Sequence, residues 1–198
     1  MFKLKTYLRK PQSRIEAEFG HDLERYQRVY KNEREKFYIP IDDDNAASII
    51  DCEKFDVNYF SMIIVIQYNG ANVVELDNPP ISGTCLWFDY LAMIERYLAN
   101  QYAEGLYGID YFEMQMKACR KDEMAFSIYL AHNKERFVYA VLPQKAFIKA
   151  LLHELQHIWG RLHELGAFER EALRNKKHAF LGEETSIRIQ ECLRKLDQ

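Results

Sequence analysis

Hydrophobic and polar positions alternate along much of this chain with two distinct periods. Residues 111–118 alternate strictly, with Phe112, Met114, Met116 and Ala118 on one side and Glu113, Gln115 and Lys117 on the other. Side chains of a strand point to opposite faces in turn, so this is a strand with one wet face. Residues 59–67 hold the β-branched run Ile63, Ile64, Val65, Ile66, and 72–76 form a second extended run. Asn69-Gly70 lies between them, and both residues tolerate positive φ, so the pair predicts a hairpin. Residues 124–131 and 136–142 read as two more strands around the polar turn 132–135, and 3–8 as a short strand before Pro11.

Helical spacing governs the rest. Phe19, Leu23, Tyr26 and Tyr30 recur at helical intervals within the charged stretch 14–36, with a break near Gly20. Residues 37–41 are extended, and the acidic run 42–45 is a loop by composition. Residues 86–98 form a helix that Asn100 can end in a left-handed conformation. Residues 144–165 carry an apolar seam of Ile148, Leu151, Leu155, Ile158, Leu162 and Leu165, with Gly166 as the stop. Two helical pieces, 168–178 and 183–195, follow. The order ββ-α-βββ-α predicts an α+β fold: an antiparallel sheet of about five strands, helices on one face and a C-terminal helical tail. We read 1–198 as a single domain. Residues 1–56 form a charged N-terminal helix and acidic loop, 57–165 the α+β core, and 166–198 the tail.

Composition changes the picture little. Hydrophobic residues at 48% and charged residues at 29% suit a globular chain with a real core. A net charge of −3 gives no general attraction to nucleic acid or to an anionic membrane. The acid is uneven, because Asp42, Asp43, Asp44, Asp51, Glu53 and Asp56 fall close together. The basic group Arg170, Arg174, Lys176, Lys177 and His178 has Glu169 and Glu171 within it and reads as a solvated helix. The cysteines Cys52, Cys85, Cys119 and Cys192 are widely spaced, which argues against a zinc knuckle or a dithiol motif. The longest apolar run, 62–66, is far too short to span a bilayer, and the charged start does not resemble a signal peptide. A cytoplasmic protein with reduced thiols is expected.

One motif carries specific chemistry. Residues 153–163 read H-E-x-x-H-x-x-G-x-x-H, the pattern of zinc proteases with a third histidine. On a helix His153 and His157 lie one turn apart and can share a tetrahedral ion, with Glu154 as general base. Under that reading the third ligand is His163 or, on a later helix, Glu183 or Glu184. Against it, the apolar seam runs straight through Gly160. An unbroken helix rotates His163 by about 240° from His157, too far to share an ion. The last methionine, Met124, lies upstream of the motif, and only 35 residues follow His163. The other reading makes the motif the polar face of an amphipathic helix, with no catalytic residue, metal or cofactor. No P-loop, Rossmann glycine pattern or G-x-S-x-G is present.

The middle of the chain resembles small cytosolic immunity proteins of bacterial polymorphic-toxin and contact-dependent inhibition systems. The residues concerned are Leu86-Trp87-Phe88-Asp89-Tyr90-Leu91 and Ile94-Glu95-Arg96-Tyr97-Leu98 after the Asn-Gly hairpin. A strand pair then runs into Val141-Leu142-Pro143-Gln144-Lys145-Ala146-Phe147. The likeness spans about 58–165 and is one of layout. It implies a non-enzymatic inhibitor whose partner is a cognate toxin protein, bound one to one. On that ground the acids Asp42, Asp43, Asp44, Asp51, Glu53 and Asp56 are the candidate contact surface, with Tyr38, Phe55, Tyr59 and Phe60 as aromatic anchors. A zinc-dependent hydrolase using Glu154, His153, His157 and His163 or Glu184 is the alternative.

Overall fold

The computed structural model describes residues 1–20, 22–50, 60–76, 83–84, 86–108, 111–168 and 181–197. In chain order its elements are β1 (Phe2–Arg9), α1 (Gln12–Phe19), α2 (Leu23–Asn32), β2 (Tyr38–Pro40), α3 (Ala47–Ile50), β3 (Ser61–Tyr68), β4 (Ala71–Val74) and β5 (Gly83–Thr84). Then come α4 (Leu86–Asn100), β6 (Tyr102–Leu106), β7 (Phe112–Arg120), β8 (Glu123–Leu130), β9 (Arg136–Pro143), α5 (Gln144–Glu164) and α6 (Leu181–Leu196). The fold is α+β with a C-terminal helix, as the pattern of periods predicts.

The strands form two antiparallel sheets rather than one. The first has the order β2-β1-β3-β4, with β5 also on β3, and the second is the meander β6-β7-β8-β9. The N-terminal strand therefore sits in the interior of a sheet, between β2 and β3. β4 neighbours β9, while α4 and α5 each touch both sheets, so a single apolar core runs beneath the two. Met62, Ile64 and Ile66 of β3 enter that core. Ile63 points to the other face of the same strand, as period-two alternation requires. There α1 and α2 close a second small core of Ile15, Phe19, Val29, Phe37, Tyr38 and Ile63. Helices thus cover both faces of the first sheet.

Local signals hold at the turns. Asn69 and Gly70 take φ of 50° and 83°, the left-handed pair of a two-residue hairpin. Helix α4 runs two residues past the expected end, and the left-handed residue falls one position later. Asn100 stays helical with its amide on the Arg96 carbonyl at 3.2 Å, and Gln101 adopts the left-handed φ of 56°. β6 has no counterpart in the sequence reading. Its Gly105 lies close under α4: a Cβ there would meet the Met93 Sδ at 3.3 Å and the Arg96 Nη1 at 3.4 Å, so those side chains would have to shift by a few tenths of an ångström.

Asp89, in the first turn of α4, accepts the Gly108 N–H at 2.9 Å. Burial pushes its carboxyl up to about 6, and the Gly108 bond offsets part of that rise. A carboxyl raised in the folded state contributes stability that is present in full below the ordinary aspartate range. That stability is lost as pH rises through about 6. Asp89→Asn keeps an acceptor for Gly108 and has no proton to lose. We expect its thermal melts to lose this decline between acid and neutral pH, leaving it the more stable protein at neutral pH. An unchanged profile would contradict the assignment.

Candidate functional site

Helix α5 is continuous from Gln144 through Gly160 to Glu164, and Gly166 closes it with φ of 71°. Its seam residues Ile148, Leu151, Leu155, Ile158 and Leu162 are all fully buried. His153, Gln156, His157, His163 and Glu164 lie on the exposed side.

The motif residues are used one by one. Glu154 accepts a hydrogen bond from the Thr6 hydroxyl at 2.5 Å, and Thr6 is buried in β1. The carboxylate expected to activate water thus fastens α5 to the first sheet. His157 Nε2 lies 2.7 Å from Asp42 Oδ1, and Arg161 Nε approaches the same oxygen at 3.8 Å. Asp42 is therefore engaged by the polar face of α5. The His163 ring packs on Phe168 and Trp159, with centroids 4.4 and 5.5 Å apart. Glu184 is exposed on α6, one turn from Arg188. Arg188 makes a two-pronged bond to Glu95 of α4, at 2.8 Å on each arm. Among the described residues no three histidine, cysteine, aspartate or glutamate side chains are grouped so as to hold an ion. Thr6 thus holds the carboxylate, and Asp42 one of the imidazoles, on which the zinc reading relies.

The acidic stretch is only partly in view. Asp51, Glu53, Phe55, Asp56 and Tyr59 lie outside the described residues. Asp43 caps a short turn: the Asn45 backbone N–H reaches its carboxylate at 2.8 Å and holds it below the usual carboxylate range. Asp44 is exposed in the same turn. Tyr38 requires correction as a surface anchor. It is 5% exposed, because α1 and α2 fold over β2 and take its ring into the second core. Phe60, at 8%, is likewise core.

The surface that sequence reasoning missed is the outer face of the second sheet. Its inner face, with Met114, Met116, Phe126 and Ile128, is buried in the main core. The outer face carries cross-strand rows set by the register. One is Tyr102, Lys117, Ala125, Val141, and the next is Glu104, Gln115, Ser127, Tyr139. Tyr139 is 57% exposed, Leu106 52%, Val141 44% and Tyr102 41%, and Tyr111 just before β7 is 66%. Elsewhere among the described residues only Met1 and Ile187 are large hydrophobics of comparable exposure.

Polar groups brace these rings. The hydroxyls of Tyr102 and Tyr129 both donate to the Glu104 carboxylate, one to each oxygen. The Gln115 amide donates to the Tyr102 oxygen at 3.3 Å. The Tyr102 and Tyr129 bonds hold the Glu104 carboxyl below its ordinary range, so it stays ionised. Lys134, from the β8–β9 turn, donates to Glu113 at 2.8 Å. The strict alternation of 111–118 already signals a wet face. What is not local in sequence is that four strands align their wet positions into one plateau.

Compared with family models, with curated proteins and with solved structures, the chain finds no match. Among the described residues no helix is long and apolar enough to cross a membrane.

Proposed function

We propose that this chain is a non-enzymatic, immunity-like binding protein that neutralises a cognate toxin domain by one-to-one binding in the cytoplasm. The outer face of the second sheet is its contact surface. The observation that carries this reading is the plateau itself. It gathers the exposed aromatic and aliphatic side chains of the sheet around hydroxyls already fixed in place. A tyrosine held this way, as Tyr102 is, supplies contact area at little entropic cost on binding. Clustered exposed apolar groups rimmed by charge mark protein-contact surfaces. The charges of the plateau are mixed in sign, with Glu104 and Glu113 against Lys117, Lys134 and Arg136, which suits a protein partner better than a nucleic acid or a lipid surface.

The test is binding to the toxin domain encoded by the adjacent gene, measured by calorimetry. The expected result is a one-to-one complex, weakened at least about tenfold by Tyr139→Asp because that change places a charge in a patch that binding desolvates. Circular dichroism should be unchanged, since Tyr139 is exposed. No complex, or one indifferent to Tyr139→Asp, would count against the reading.

A further inference from the structure

The plateau contains a small cation site already filled by the chain's own lysine. Lys134 Nζ lies 2.8 Å from Glu113 Oε2, 3.8 Å from Glu104 Oε1 and 4.7 Å from the centre of the Tyr129 ring. Two carboxylates and one aromatic face are therefore served by a single positive charge. An ammonium is a point charge, and here it contacts Glu113 while leaving Glu104 beyond hydrogen-bond distance. A guanidinium is a flat fork. It can stack on a tyrosine ring and donate to two carboxylates at once. The carboxylate of Glu104 is fixed by two hydroxyls, one on each oxygen, and each oxygen keeps a lone pair to accept a further donor. Lys134 itself is easily withdrawn. Its side chain is 61% exposed, and it hangs from a turn that closes through backbone bonds: Lys134 N–H to the Leu130 carbonyl at 2.9 Å and Leu130 N–H to the Glu135 carbonyl at 2.8 Å.

We propose that Glu104, Glu113 and the ring of Tyr129 form a socket for an arginine side chain presented by a protein partner, and that Lys134 plugs this socket in the free chain. The inference rests on the reading of the plateau as a protein-contact surface, and it adds the chemistry of the group received there. Binding exchanges one cation for another, so Lys134 competes with the partner and lowers its apparent affinity.

The experiment uses the full chain and N-acetyl-arginine amide as the probe, with N-acetyl-citrulline amide as its neutral counterpart, followed by NMR at the Tyr102, Glu113 and Tyr129 signals. Lys134→Ala is expected to bind the arginine probe saturably, at least about tenfold more tightly than the native chain. Adding Glu113→Gln to that variant should weaken binding about tenfold again, and the citrulline probe should not bind. Lys134→Met, which keeps the stem and removes the charge, should behave as Lys134→Ala does. Equal response to both probes, or no gain on removing Lys134, would overturn the socket. That failure would leave the contact surface standing, because the surface is judged by Tyr139→Asp in the toxin complex. A complex indifferent to Tyr139→Asp would remove the surface whichever way the arginine titration falls.

Discussion

Replacing Trp87 by alanine is expected to lower the free energy of unfolding by about 3–5 kcal/mol, the largest effect of any single change considered. Trp87 is fully buried in α4. Its ring stacks on Phe88 with centroids 3.6 Å apart and meets Trp159 of α5 at 4.9 Å, so it joins the two helices that span both sheets. Alanine would leave a cavity that neighbouring rings can only partly fill. Among the described residues the indole N–H has no hydrogen-bond partner. Trp87→Phe loses no polar contact with them, therefore, and should cost about 1–2 kcal/mol. Urea unfolding followed by circular dichroism measures both. A loss below about 1 kcal/mol for the alanine variant would show that the helix pair is not held together here.

Glu154→Ala should cost about 1–3 kcal/mol, because it leaves the buried Thr6 hydroxyl without an acceptor. Adding Thr6→Val to that variant removes the orphaned hydroxyl and should recover part of the loss. The resulting double-mutant cycle reads the coupling directly. Glu154→Gln retains an acceptor and should cost less than alanine. His153→Ala, on the exposed side of the same helix, should stay within about 0.5 kcal/mol of the native chain. A general base poised over a metal would give the opposite pattern: no stability lost with Glu154, and coupling to the histidines instead.

Much of the fold can be read locally, and for a physical reason. The Asn69-Gly70 turn, the alternation of 111–118 and the seam of α5 each depend on neighbours within a few residues. The seam also announces the straight helix, since an apolar stripe that crosses Gly160 without changing phase requires a helix that does the same. What escaped were the long-range pairings. Glu154 meets Thr6 across 148 positions, and His157 meets Asp42 across 115. No local pattern announces either bond. β6 escaped because Glu104 and Gly105 weaken its strand signal, although Gly105 packs closely against Met93 and Arg96 of α4. Tyr38 looked like a surface anchor beside the acids, but its burial follows from α1 and α2 packing over β2. The exposed plateau of the second sheet was hidden for the same reason. Each strand showed its own wet face, while the alignment of four such faces belongs to the sheet register.

The most direct test of this account is the zinc content of protein purified without an affinity tag, measured by elemental analysis. With Glu154 engaged by Thr6 and His157 by Asp42, the expected result is less than about a tenth of an equivalent, unaltered by His153→Ala. About one equivalent of zinc, lost in the His153→Ala variant, would contradict it and return the His153–His163 motif to metal chemistry.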